Sequence, residues 1–140
     1  MNQNVFPHKL VAVLNKKIEP GKLMNALAHM CMGLGASIGM EPLRLTHYKD
    51  ADGGSHPYIS EIPFIILSGN SNQIRKLRQE AIEHHIQCND FTDTMTMGTY
   101  QEQIERTKQV QEEDLIYFGI VLFGDWDKVT ELTRKFSLWK

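Results

Sequence analysis

The stretch KLVAVLNKKIEPGKLMNALAH, residues 9–29, decides how the rest of the chain is read. Lys9 to Asn15 is a short apolar run of the kind that fills a buried strand. Lys16 to Gly21 turn the chain, and Pro20-Gly21 suits a helix entry. From Lys22 to about Leu34 the apolar residues fall at helical spacing, and Gly33, Gly35, Ala36 and Gly39 close the region.

Each helical residue advances by about 100° around the axis. Leu23, Leu27, Met30 and Leu34 then gather on one side and are expected to face a sheet. Lys22, Asn25, Ala26, His29 and Gly33 gather on the other, with Lys22, Asn25 and His29 in one polar column at spacings of three and four. Free N–H groups near Gly21, the positive end of the helix dipole and Lys22 are suited to an anion. The phosphate-loop pattern GxxxxGK[ST] is absent, because Lys22 lacks its upstream glycine and precedes Leu23. The plainer reading is an amphipathic helix whose Lys and His face water.

Downstream, strands are expected at Leu43–Tyr48, Pro63–Ser68, Ile86–Asp90 and Leu115–Phe123, with Pro63–Ser68 central. Lys49–Pro57 is a turn cluster containing Asp-Gly and Gly-Gly. Asn70 and Gln73 form a capping pair for a helix with Ile74, Leu77, Ala81 and Ile82 on one face and Arg75, Lys76 and Arg78 toward solvent. Tyr100–Gln111 is expected to be an exposed helix. Asp125 starts a last helix that turns Trp126, Val129, Leu132 and Phe136 inward. Strands alternating with helices predict a three-layer α/β/α fold with a mixed sheet and helices on both faces, one domain over residues 1–140.

At 41% hydrophobic and 23% charged, the composition is that of a soluble globular protein. A formal net charge of −2 argues against a strongly basic nucleic-acid binder and leaves room for a local basic patch. No run approaches a membrane span and the start shows no leader pattern, so a cytoplasmic protein is expected, with no membrane partner. Cys31 and Cys88 form no CxxC and read as buried thiols of a reduced compartment.

The strand KLVAVLN, then Pro-Gly-Lys, then His29 seven residues after Lys22, resembles the type II peptidyl-tRNA hydrolases. Asp90 and Thr94 stand at the spacing of that family's Asp-x-x-x-Thr motif, and GIVLFGDWDKVTELTRKFSLWK resembles its ending. A closer resemblance is to an uncharacterised bacterial family, a domain of unknown function numbered two thousand, carried by PGKLMNALAHMCMGLGA, KDADGGSHPYISEIPF and the polar helix before LIYFGIVLFG. That family is similar to a branch of the peptidyl-tRNA hydrolase II fold.

The resemblance implies a site in which Asp90 orients water, Lys22 stabilises negative charge and Thr94 positions either group; the helix entry and its polar column add Gly21, Asn25 and His29 as ligand-binding residues. It implies an enzyme that hydrolyses an ester or amide on a nucleotide-like or small anionic substrate, tRNA being the reference partner. Two positions depart from the hydrolases: Ala26 replaces a glutamine and Thr92 a glycine. Tyr100–Asp114 is an insertion expected to cover or reshape the pocket. These departures, with the acidic charge, motivate the alternative, a non-catalytic ligand-binding or protein-interaction domain on the same fold.

Asp50, Asp52, His56 and His47 could gather around a cation, but the closing carboxylate of a calcium loop is missing and Asp-Gly between strands reads first as a hairpin turn. No metal and no cofactor is expected. His84 and His85 end a helix where the dipole favours a cation. The methionines read as core and pocket lining, and the basic residues of the second helix as solvated surface. Self-association as a homodimer is compatible with an apolar last strand.

Overall fold

A computed structural model describes residues 6–140. The first five residues of the expected domain, and the beginning of the segment searched for a leader, lie outside it. Five strands make a mixed sheet: β1 (His8–Asn15), β4 (Phe64–Gly69), β5 (Gln87–Thr92), β6 (Tyr117–Asp125) and β7 (Ser137–Leu138), in the order β5-β6-β1-β4-β7. β1 and β4 are parallel, while β1–β6, β5–β6 and β4–β7 are antiparallel. β2 (Leu45–Lys49) and β3 (Ser55–Ser60) form a separate hairpin.

The alternation of β1 supplies both faces of the core. Leu10, Ala12 and Leu14 pack under α1 (Pro20–Ile38), while Val11 and Val13 pack under α2 (Ser71–Glu83) and α4 (Trp126–Thr133). Seven consecutive buried residues in β6 lie between these layers, as a strand covered on both faces requires. The structure is thus an α/β fold with a mixed sheet between helix layers. The centre of the sheet is β1 rather than Pro63–Ser68, because the edge beyond β4 is closed only by the two residues of β7.

Several expectations change. Ala26 is fully buried with Leu23, Met30 and Leu34, whereas Leu27 is half-buried. The helix rests on its small residue and approaches the sheet closely there. Gly119 of β6 shares in that approach, since a Cβ on it would stand 3.0 Å from the Met30 terminal methyl and 2.8 Å from Leu14. In α2 the capping box of Asn70 and Gln73 forms, and Ile74, Leu77 and Ala81 are buried. Ile82 is exposed, being turned about 100° on from Ala81. Trp126 is half-buried outside the main clusters, with Lys9 Nζ 5.0 Å above its ring. The sequence reading had no strand at Ser55–Ser60 or Ser137–Leu138.

Candidate functional site

α1 carries Lys22, Asn25 and His29 on its exposed side, and Asn25 and His29 with Met30 form one wall of a groove of ≈760 Å³. The opposite wall is the 3-10 turn Asp93–Met95 with its continuation and the start of α3 (Tyr100–Lys108), contributing Met95, Thr96, Tyr100 and Gln103. Thr99 caps α3 through a box with Glu102, which fixes where Tyr100 and Gln103 leave the chain. β5 forms the floor. A second hollow of ≈480 Å³ shares Asn25, Phe91 and Thr96 with the first and continues to Gly21 and Lys22. Past Met95, a more apolar hollow runs along Ile104 and Thr107.

The side chains of Asn25 and His29 make no hydrogen bond among the described residues. His29 has only the Phe91 ring, centroid to centroid 6.1 Å, and Phe91 in turn meets Phe118 at 5.9 Å. Lys22 is 63% exposed with Glu19 at 3.8 Å, a pair of little energetic weight. The helix start offers an anion less than its sequence suggests. Lys22 N–H and Leu23 N–H both donate to the Glu19 carbonyl, and Pro20 has no N–H. Gly21 N–H remains the amide of that turn without a partner among the described residues.

Gly33 sets how closely β5 meets α1. Asn89 donates its Nδ2–H to the Met30 carbonyl at 3.2 Å, and a Cβ on Gly33 would stand 2.8 Å from that nitrogen. The glycine leaves room for an amide latch between wall and floor.

Asp90 and Thr94 occupy other surroundings. Asp90 borders the groove along the β5 edge, but its carboxylate accepts from Arg78 Nε of α2 at 3.0 Å. Alternation along β5 places Phe91 under α1 and Asp90 toward α2. Thr94 is 3% exposed, and its hydroxyl meets those of Thr92 at 2.7 Å and Thr107 at 2.8 Å. Asn25 and His29 therefore line the groove, Gly21 and Lys22 the hollow adjoining it, with Asp90 at the rim and Thr94 behind the wall. Asn89, Thr96, Tyr100 and Gln103 also line it. None stands in a sequence pattern that would have singled it out.

Burial pushes the Cys88 thiol up, and the Asp90 charge adds to this while Arg78 opposes it. Burial also raises Cys31. Both thiols are poor nucleophiles at neutral pH.

The sheet's other face holds its polar groups differently. A cleft of ≈340 Å³ lies where β1 and β4 end and their helices leave to opposite faces, the usual ligand position in α/β folds. Its amides are already engaged. Buried Asn15 donates to the Tyr117 carbonyl at 2.9 Å and accepts from Lys17 N–H at 3.0 Å. Asn72 and Ser71 accept from Arg75 and from Tyr117 N–H. Arg75 lies over the Tyr117 ring and donates to the Leu115 carbonyl. The Tyr117 hydroxyl, its pKa raised by burial, donates to Glu112 at 2.6 Å. The expectation of a solvated Arg75 is thereby corrected, its side chain being only 15% exposed because the segment before β6 folds over it.

In the hairpin, Asp50 accepts from the Asp52 and Gly54 N–H groups and from His56 Nε2, so its carboxylate organises the turn. Among the described residues, no cluster of three or more His, Cys, Asp or Glu could hold a metal, and no helix is long and apolar enough to cross a membrane.

An α/β fold with a groove at its first helix is the class these observations define. Residues 8–140 match the model of the family described as "Protein of unknown function (DUF2000)", and the chain belongs to that family. A solved structure of a protein of unknown function from Agrobacterium tumefaciens strain C58 has the same fold. Its TM-score is 0.84 at 18% identity, covering 97% of this chain and 100% of that one. No curated protein matches the chain.

Proposed function

We propose that the protein is a single-domain, non-catalytic binding module whose groove between α1 and α3 takes an elongated ligand, anionic at the Lys22 end and apolar toward Ile104. One observation carries this reading. Asn25 and His29 face open space with their hydrogen-bonding capacity unused, while the Asp90 carboxylate and Thr94 hydroxyl are engaged elsewhere. A hydrolase needs a carboxylate within about 3 Å of its water and a donor at the developing oxyanion. Asp90 is paired to Arg78 instead, and Lys22 lines the adjoining hollow rather than the one that Asp90 borders. An amide and imidazole wall over aromatic rings suits recognition.

The second reading is the hydrolase of peptidyl-tRNA hydrolase II type, in a cytoplasmic bacterial protein, acting on tRNA or a small anionic ester. It is favoured by Lys22 and His29 lining adjoining hollows, with Asp90 at the rim. Ala26 lies against the sheet, so a glutamine there would need the helix to shift. Thr92 is buried beside Thr94.

Melting of the protein against a panel of small anions and carboxylates, run beside a peptidyl-tRNA turnover assay, separates the readings. A ligand that raises the melting temperature of the parent but not of Asn25→Leu, with no turnover, is the expected result. Turnover by the parent that disappears in Lys22→Ala would establish the hydrolase instead.

A further inference from the structure

The floor of the groove is a strand edge. Cys88, Asn89, Asp90 and Phe91 all line it. Consecutive side chains of a strand point to opposite faces, so four neighbours in a row are reached only along the edge, where the backbone lies. β5 is the terminal strand of the sheet and its ladder runs to β6 alone. Among the described residues, no backbone bond beyond that ladder involves positions 87–91. In antiparallel pairing every second residue turns both its N–H and its C=O away from the partner strand. β5 therefore presents alternating free donors and acceptors to the groove.

We propose that this edge docks an extended segment of another polypeptide, which adds beside β5 as a sixth strand and carries an acidic group toward Lys22. The proposal rests on the groove being the binding site and names the class of its partner. Strand addition obtains its affinity from main-chain hydrogen bonds and its selectivity from hollows for alternate side chains. α1 rises on one side of the edge and the Met95–Gln103 segment on the other. Walls on both sides admit a single extended chain and obstruct the edge of a second whole sheet, which selects a peptide over another copy of this protein. The strand carries neither Lys nor Pro, its one charge, Asp90, is held by Arg78, and its pairing with β6 is irregular only at the Phe91–Thr92 end.

Charge selects the chemistry of the segment. Asp90 is the acidic residue of the lining, and Arg78 holds it at 3.0 Å. Lys22 has only the loose contact with Glu19. The open positive charge is Lys22, in the hollow that adjoins the groove through Asn25, Phe91 and Thr96, on a chain whose net charge is −2. Opposite signs across an interface set which partners are accepted.

The test uses the full chain and a display library of random octapeptides with free C-termini. The strongest binder is resynthesised with N-methyl groups on one or the other alternating set of residues. Selected sequences are expected to be rich in Asp and Glu. Methylation of one set is expected to weaken binding at least about tenfold while the other set leaves it intact, because only one set donates to β5. The bound peptide should slow hydrogen exchange at alternate amides of Gln87–Thr92, and Lys22→Glu, at an exposed position, should weaken it about tenfold. Failure to select any peptide, or a binder indifferent to methylation, overturns strand addition. If a small ligand still stabilises the parent and not Asn25→Leu in that case, the groove reading stands and only the partner class fails. A binder that protects the β2–β3 hairpin instead overturns both.

Discussion

Two polar clusters, one at the α2 side of the sheet and one in the groove beside α1, are held in different ways. On the α2 side, Asn15, Ser71, Arg75, Glu112 and Tyr117 form a network whose members are bonded to one another or to backbone. On the α1 side, Asn25 and His29 face a groove with their hydrogen-bonding capacity unspent. A buried polar group without a partner is costly, so a saturated network is what folding alone demands. Polar side chains that solvent alone satisfies, gathered in a concave surface, are free to exchange that water for a ligand, and that is where a ligand is sought. By this criterion Thr94 belongs with the saturated set, and Asp90 lies between the two, one carboxylate oxygen held by Arg78 at the rim of the groove.

The contrast has consequences of graded size. Asn15→Leu keeps the branching of the side chain but leaves the Tyr117 carbonyl and the Lys17 N–H without their partner. Chemical denaturation should show a loss of about 2–4 kcal/mol, since each stranded group costs about 1–3. A loss below about 0.5 kcal/mol would mean that the network is not holding the fold. Thr94→Val removes the middle of a chain of three hydroxyls and should cost about 1–2 kcal/mol, with ligand binding unchanged. Thr94 acting on a substrate would give the reverse, near-parent stability with lost activity.

The smallest effect concerns Cys88. Because its pKa is raised, the reactive thiolate becomes abundant only above the ordinary thiol range, and alkylation should stay slow at pH 7 and quicken only at more alkaline pH than for a free cysteine. Asp90→Asn removes a charge that raises the pKa, so alkylation at pH 8 should quicken by about threefold. An unchanged or slower rate would show that the Asp90 charge does not bear on this thiol.

The legibility of the sequence follows the same division between local and distant causes. β1, α1 and β6 were readable because apolar periodicity is local, and so was the column Lys22-Asn25-His29, which needs only helix geometry. Ala26 was misplaced because helix rotation is set by how closely α1 can approach the sheet, which depends on Gly119 nearly a hundred residues away. β3 was missed because a hairpin standing apart from the core has no buried face to impose alternation. The surroundings of Asp90 and Thr94 were not legible either. The face Asp90 occupies depends on pairing with β6, and the second partner of Thr94, Thr107, lies on a later helix. Asn89, Tyr100 and Gln103 enter the groove only through tertiary packing.

The most direct test of the account is amide chemical-shift mapping of the isotope-labelled full chain during titration with an acidic octapeptide selected on it. Shifts confined to residues 20–33, 87–97 and 100–104 are predicted, with the Asn15, Arg75 and Tyr117 amides unmoved. Shifts centred on α2 and the segment before β6, with α1 silent, would contradict it.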